Sequence, residues 1–189
     1  IAAQPITVEW KGRAPKPAWV WWTPKGKRLV TQWRTTPCVI DINHDGLNDL
    51  VMLDHEGYLA YFERKSREGR LTLLPPQRIF KDSTSAPLRL NDGIAGKSGR
   101  RKLAFADWDM DGNLDLLVNG KNIDLLRNLG LPGEFRFADA TALDSRALAG
   151  HSTCPAIVDW DANGVPDLVI GAEDGFLYYL RNIYNAQAQ

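Results

Sequence analysis

Three short acidic segments have the residue types and the spacing needed to hold a hard metal cation. In each segment Asp or Asn stands at positions 1, 3 and 5, Gly at position 6 and Asp at position 9. Oxygen atoms at these positions, with the backbone carbonyl of position 7, can converge on one calcium ion. Glycine at position 6 allows the sharp turn that a side chain would obstruct. The predicted ligands are Asp41, Asn43, Asp45, Leu47 and Asp49 in the first loop; Asp107, Asp109, Asp111, Asn113 and Asp115 in the second; and Asp159, Asp161, Asn163, Val165 and Asp167 in the third.

Two other interpretations of these segments are less consistent with the sequence. An EF-hand begins similarly but requires a bidentate Glu at position 12 and a helix on each side. Position 12 is instead Met52, Val118 or Ile170, inside an apolar run typical of a strand. Asp-Gly and Asn-Gly also form ordinary turns, but three copies in one context favour metal binding. With four carboxylates, the second loop is predicted to bind calcium most tightly.

Short apolar strands must position these loops. One strand is predicted before each loop and one after it, and a third follows a turn that contains glycine. The loops are offset by 66 and 52 residues, a period typical of propeller blades. A strand over 6–10 has no predicted partner in its own repeat. The predicted first strands are 38–40, 103–106 and 156–158, the second strands 50–53, 116–118 and 168–170, the third strands 58–62, 123–126 and 176–180, and the outer strands 77–80 and 135–138.

The loops, the apolar strands and the glycine-containing second turn resemble the FG-GAP or VCBS repeat family. This family occurs in integrin α-subunit propellers and in many secreted bacterial and fungal proteins, and the resemblance covers residues 33–182. It implies an all-β fold of consecutive four-stranded antiparallel blades of a β-propeller. It also implies three structural calcium sites, on the loops between the first and second strands of each blade, with the ligands given above. The chain resembles the C-terminal blades of a secreted bacterial-type propeller.

The blades are expected to be only part of a ring. We predict an N-terminal strand and Trp-rich connector over 1–32, then blades over 33–82, 83–139 and 140–189, the last without an outer strand. Propellers close with about 4 to 8 blades, so three do not suffice. The chain is therefore expected to belong to a larger propeller or to assemble from copies, because both arrangements cover strand edges. The partners would then be the remaining blades, in the same parent chain or in other copies.

The composition limits the other partners. Lys and Arg number 23, as do Asp and Glu, so no global field favours nucleic acid. No apolar run reaches the roughly 18 residues of a membrane span. Cys38 and Cys154 lie in equivalent positions of separate repeats, and we predict two free, buried thiols. An extracellular or periplasmic location is expected, because weak calcium sites are filled where calcium is abundant.

Cationic side chains are predicted on the end of the blades opposite the calcium loops. Arg34, Arg100 and Arg101 precede first strands, so they are the predicted ligand-binding residues. Arginine presents a planar fork that suits carboxylate or sulfate, which points to an acidic sugar. His55 and His151 lie at the same end and are the candidate catalytic bases. The alternative for the arginines is that they pair with carboxylates of neighbouring blades or are solvated.

Two classes of function are consistent with these residues. The first is a carbohydrate-active protein that binds or cleaves an acidic polysaccharide, as a lyase or a glycosidase. In a lyase, a cation would stabilise the uronate carboxylate while His55 or His151 removed the neighbouring proton. The second is a non-catalytic lectin-like or adhesive recognition module, as the integrin resemblance implies. The sequence leaves open whether the protein is an enzyme, because fold resemblance does not decide function.

Overall fold

The structure, a computed structural model, describes residues 5–17, 20, 22–67, 70–91, 100–148 and 153–184. The chain forms two compact units. The first contains Ile1–Ile79 and Pro87–Arg100, and the second contains Phe80–Ala86 and Arg101–Gln189. The described residues form antiparallel β-sheets, which confirms the predicted all-β class. No helix in the described ranges is long and apolar enough to cross a membrane.

The first unit contains the first repeat. Its strands are β1 (Cys38–Ile40), β2 (Asp49–Leu53) and β3 (Leu59–Phe62), which pair in that order. Their bounds agree with the predicted strands to within one residue. A hairpin of β4 (Arg64–Arg67) and β5 (Arg70–Leu73) follows β3 directly. The sequence analysis missed this hairpin because its first strand is charged and lacks an apolar alternation.

The N-terminal segment packs on this sheet and hairpin. Val8 makes a parallel bridge to Leu73, and the Glu9 N–H donates to the Leu73 carbonyl at 2.8 Å. Val8, Met52 and Phe62 are buried in one apolar cluster with Leu73. The predicted strand over residues 6–10 is therefore a pair of isolated bridges. It also has a partner inside the first repeat, the unpredicted β5, contrary to the expectation.

The second unit contains the other two repeats. The second repeat forms β6 (Leu103–Ala106), β7 (Asp115–Asn119), β8 (Ile123–Leu126) and β9 (Thr141–Ala142). The third forms β10 (Cys154–Val158), β11 (Asp167–Gly171) and β12 (Leu177–Leu180). Each sheet is antiparallel and follows the chain order. The loops of interest therefore connect β1 to β2, β6 to β7 and β10 to β11, as predicted.

The fourth strands differ from the prediction. In the described residues, only the second sheet has a regular fourth strand, and this is β9 rather than 135–138. Phe137 makes a single bridge to Asn128, and Gln77 makes a single bridge to Tyr61. One outer segment thus bridges β3 and the other bridges a residue just beyond β8. The number of strands per blade is therefore three or four.

The second and third repeats stack through their apolar faces. Ala104, Ala106 and Trp108 of the second repeat are buried in one cluster with Leu168 and Ile170 of the third. Leu117, Ile123 and Leu125 complete the second repeat's contribution to that cluster. Face-to-face packing of neighbouring sheets is the arrangement expected of consecutive blades. A ring closed by such contacts is not formed by the described residues.

The cysteines are free, as predicted, but their predicted burial is only partly right. Cys38 is half-buried, and Cys154 is exposed. Cys154 is the first residue of β10, and its neighbour Pro155 is the buried one of the pair. The side chains alternate across a strand, so the cysteine is directed to the open side.

Candidate metal sites

The three acidic loops share one backbone conformation. At position 6 the φ values of Gly46, Gly112 and Gly164 are 83°, 92° and 83°. These values are strained for any residue with a side chain, which explains the glycine at this position. Position 4 also has positive φ, at 56° in His44, 59° in Met110 and 57° in Ala162. The sharp turn predicted from the spacing is therefore present in all three loops.

The Asp at position 1 closes each loop on itself. One carboxylate oxygen accepts the N–H of position 5, and the other accepts the N–H of position 6. These six hydrogen bonds, made to Asp41, Asp107 and Asp159, are between 2.9 and 3.1 Å long. In addition, Oδ1 of position 5 accepts the N–H of position 7 at 2.8 to 3.0 Å. The loop's own hydrogen bonds thus hold it in a curled conformation without a cation.

The Asp at position 9 ties each loop to the third strand. Asp49, Asp115 and Asp167 are at most 1 % exposed. Their Oδ2 atoms accept the N–H of position 2, at 3.2, 3.0 and 3.3 Å. Their Oδ1 atoms accept an N–H just beyond the third strand, at 2.7, 2.7 and 2.8 Å. These donors are Arg64, Asn128 and Asn182.

The electrostatics of position 9 differ between the second and third loops. Burial raises the pKa of Asp115 to about 6, and the carboxylates of Asp109 and Asp111 act in the same direction. Burial also acts to raise the pKa of Asp167, but hydrogen bonds outweigh it and the pKa is lowered. One of these bonds comes from the Tyr179 hydroxyl, at 2.9 Å. Leu125 occupies the equivalent position in the second repeat and provides no donor.

Carboxylates converge in the second and third loops. One oxygen from each of Asp107, Asp109 and Asp115 lies within 4.8 Å of the others, and the same holds for Asp159, Asp161 and Asp167. Calcium–oxygen distances are about 2.3–2.6 Å, so two ligands of one ion are separated by up to about 5 Å. Oδ1 of Asp109 is buried and has no hydrogen-bond partner. Such an atom usually has a partner, and a cation would supply it.

The first loop has the same backbone but a different donor set. Position 3 is Asn43, whose Oδ1 accepts the Asp45 N–H at 3.1 Å. The loop therefore lacks the carboxylate at position 3 that completes the clusters in the other two loops. The backbone carbonyls predicted as ligands, those of Leu47, Asn113 and Val165, stay a prediction.

The sequence analysis missed two arginines beyond the third strands that contact the acidic loops. Arg127 Nε donates to Asp109 Oδ2 at 2.6 Å, and Arg181 Nε donates to Asp161 Oδ2 at 2.8 Å. The two arginines are equivalent, because each follows directly after its third strand. This shared place in the repeat was a signal available in the sequence, but the contact with position 3 depends on the register of the sheet.

The predicted anion-binding and catalytic residues have varied surroundings. Arg34 is exposed, and its guanidinium lies 4.3 Å from the centroid of the Trp33 ring. Arg100 is exposed, while Arg101 donates to the Asn119 carbonyl at 3.4 Å. His55 lies in the turn between β2 and β3, and its Nδ1 is buried without a hydrogen-bond partner. His151 lies outside the described residues. Their roles in binding and catalysis stay predictions.

The turn that contains His55 is held by an arginine that was not predicted. Arg78 Nε donates to Asp54 Oδ2 at 2.7 Å, and its guanidinium also pairs with Glu56. Asp54 Oδ1 accepts the N–H groups of Glu56 and Tyr58, at 2.8 and 3.1 Å. The acidic residues beside His55, Asp54 and Glu56, are thus already paired with Arg78.

Comparison with known proteins places these loops in a family. The model of the FG-GAP-like repeat matches residues 41–118 and 107–170, which together cover more than half of the chain. Human integrin alpha-IIb is 29 % identical over 164 residues, which is 78 % of this chain. The chain spans only 15 % of the length of that integrin. No solved structure matches the chain significantly.

Replacement of Asp109 tests the second loop. We expect Asp109→Ala to reduce the number of calcium ions bound per chain by one, because it removes a converging carboxylate. Isothermal titration with calcium measures this number. Glu134→Ala removes an exposed carboxylate elsewhere in the same unit and should leave the number unchanged. Equal numbers of bound ions in wild type and Asp109→Ala would show that the cluster is no metal site.

Proposed function

The chain belongs to the FG-GAP-like repeat family, and we propose that it is a calcium-stabilised segment of an extracellular β-propeller that recognises an acidic polysaccharide. The observation that carries the calcium part is the buried, unpartnered Oδ1 of Asp109 among three converging carboxylates. The integrin relative supports the propeller architecture and the location outside the cell. Sites of moderate affinity are filled there, because extracellular calcium is abundant.

Calcium would have a structural role in this protein. When bound, it neutralises carboxylates that repel one another at the end of each blade. The residues that would hold it are those of the three loops, at positions 1, 3, 5, 7 and 9. The position 9 carboxylate already accepts one N–H from the start of the loop and one from beyond the third strand. A cation at that carboxylate would therefore stiffen the whole end of the blade. The opposite end is left for a ligand.

A recognition surface at that opposite end is supported by Trp33 and Arg34. Trp33 is 37 % exposed and carries the Arg34 guanidinium against its ring. A flat apolar face beside a guanidinium suits a pyranose that carries a carboxylate. At His55 recognition is favoured over catalysis, because its buried Nδ1 and the paired carboxylates beside it offer little access to a substrate proton. In the catalytic alternative the protein is a polysaccharide lyase or a glycosidase.

The third repeat has an exposed apolar face that a further blade would cover. Three apolar positions buried in the second repeat have exposed equivalents in the third. Trp108 is 5 % exposed and Trp160 65 %; Ile123 is 0 % exposed and Leu177 77 %. Leu125 and Tyr179 show the same difference, at 8 and 44 %. In the second repeat this face is covered by the third repeat, so a further repeat, of the same chain or of another copy, would cover it in the third.

Sugar binding is tested with polygalacturonate in the presence of calcium. We expect the chain to bind it and not neutral dextran. We expect Arg34→Ala to weaken binding by about 1.5–3 kcal/mol, the value of a hydrogen bond to a charged group. Arg13→Ala removes another exposed arginine of the first unit and is the control. Absorbance of an unsaturated uronate product in the same mixture detects a lyase. Equal binding of both polysaccharides, or of none, would contradict acidic-sugar recognition.

The exposed face of the third repeat is tested by sedimentation. Since an apolar face of this kind is covered in the second repeat, we expect the chain on its own to self-associate as its concentration rises. Leu177→Glu should suppress this association, because it places a charge in the centre of the face. Leu131→Glu, at a residue that is 70 % exposed in a loop of the same unit, is the control. A monomer at every concentration would contradict coverage of this face by another copy.

A further inference from the structure

The first repeat has an open pocket beside its acidic loop. The pocket has a volume of about 430 Å³ and lies within the first unit. Val39, Leu50 and Arg64 line it on the side of the sheet. Ile6 and Leu73 line it on the side of the N-terminal segment and the hairpin. Val39 is 60 % exposed, so the pocket is open to solvent, and a cavity of this size accommodates a large side chain.

The sheet wall of this pocket has a counterpart in the third repeat. Val39 and Leu50 are cross-strand partners beside the first loop, and Ile157 and Leu168 are the equivalent partners beside the third. Leu168 is buried in the cluster that joins the third repeat to the second, and Ile157 packs against that cluster. In the third repeat the equivalent wall is therefore a docking surface for a neighbouring blade.

The polar residue of the wall also has a counterpart. The N–H groups of Arg64 and Asn182 both donate to Oδ1 of the position 9 carboxylate of their repeat, at 2.7 and 2.8 Å, so the two residues are equivalent. The Asn182 side chain donates to the Trp108 carbonyl at 2.7 Å. Trp108 is position 2 of the second loop, and its side chain is buried in the same cluster as Leu168. The apolar pair and the donor thus hold one tryptophan of the preceding repeat.

An equivalent tryptophan is exposed in the third repeat. Trp160 is position 2 of the third loop and is 65 % exposed, against 5 % for Trp108. We propose that the pocket of the first repeat binds the Trp160 side chain of a second copy of this chain. This inference rests on coverage of the third repeat's exposed face by another copy, which is part of the proposed function.

The pocket suits a single side chain rather than a whole blade. Met52 and Phe62 lie on the same face of the sheet as Leu50, and they are already buried in one cluster with Val8 and Leu73. The N-terminal segment and the hairpin therefore cover that part of the face. The part beside the loop is left for a side chain from another copy.

The charges near the two surfaces are complementary. Trp160 lies between Asp159 and Asp161 in the sequence, and Arg64 is in the pocket wall. An arginine there can donate to the Trp160 carbonyl and also attracts the acidic loop. The side chain that enters the pocket and the loop that carries it thus both suit this wall.

Sedimentation of the complete chain in calcium tests this contact through two single variants. Because the contact joins two different surfaces, wild-type chains should associate into rings or open chains as their concentration rises. Trp160→Ala removes the inserted ring and Val39→Glu places a charge at the pocket, so each should weaken association by at least about tenfold. Leu131→Glu, in an exposed loop outside both surfaces, should associate as wild type does.

An equal mixture of the two variants gives the decisive result. Trp160→Ala keeps its pocket and Val39→Glu keeps its tryptophan, so the mixture should form a dimer of one chain of each that grows no further. A mixture that stays monomeric would overturn the proposal. Val39→Trp, whose own ring fills the pocket, takes the place of Val39→Glu if that variant does not fold.

The wild-type result separates this contact from the proposals on which it depends. If wild type associates and Leu177→Glu suppresses this, but Val39→Glu associates as wild type does, the third repeat's face is covered and the pocket is not its partner. If wild type is a monomer at every concentration, both coverage by another copy and this inference fail. Calcium binding and sugar binding are measured by their own titrations and do not depend on either result.

Discussion

The buried carboxylate at position 9 is the interaction on which the rest of each blade depends. In all three repeats it accepts one N–H at the start of the loop and another beyond the third strand. It therefore joins the first, second and third strands at the same end. Burying a carboxylate is costly unless its charge is compensated. The two hydrogen bonds supply part of this compensation, and a cation held between the carboxylates would supply more.

This constraint explains why the loop end and the stacking of blades are linked in the second unit. Asn182 donates its N–H to the position 9 carboxylate of its own repeat. Its side-chain Nδ2 donates to the Trp108 carbonyl at 2.7 Å and to the Pro166 carbonyl at 3.1 Å. Trp108 is position 2 of the neighbouring loop, and its ring is buried between the two repeats. A buried hydrogen bond thus connects one loop directly to the next blade.

The sequence predicts the local features well and the long-range ones poorly. The ligand spacing, the glycine at position 6 and the strands on either side of each loop depend on neighbouring residues, and the structure has them close to their predicted bounds. The β4–β5 hairpin, the separate bridges of the outer segments and the exposure of Cys154 depend on which surfaces meet. No local pattern specifies these contacts.

The same distinction holds for the candidate sites. The carboxylates of the second and third loops could be predicted because all of them lie within nine consecutive residues. The contacts of Arg127 and Arg181 could not, because the pairing of the second and third strands brings these residues back to the loop. For that reason, a count of loop carboxylates alone misjudges the charge around each site.

Amide hydrogen exchange with and without a calcium chelator tests the central claim most directly. If calcium completes the compensation of the buried charge at position 9, chelation should speed exchange of the Trp108, Asn128 and Asn182 amides by at least about tenfold. Local opening of the loop end then becomes easier. The Leu59 amide, which donates to the Leu88 carbonyl at 2.9 Å near the opposite end of its blade, should change much less. Equal protection of the loop-end amides in both conditions would contradict the account.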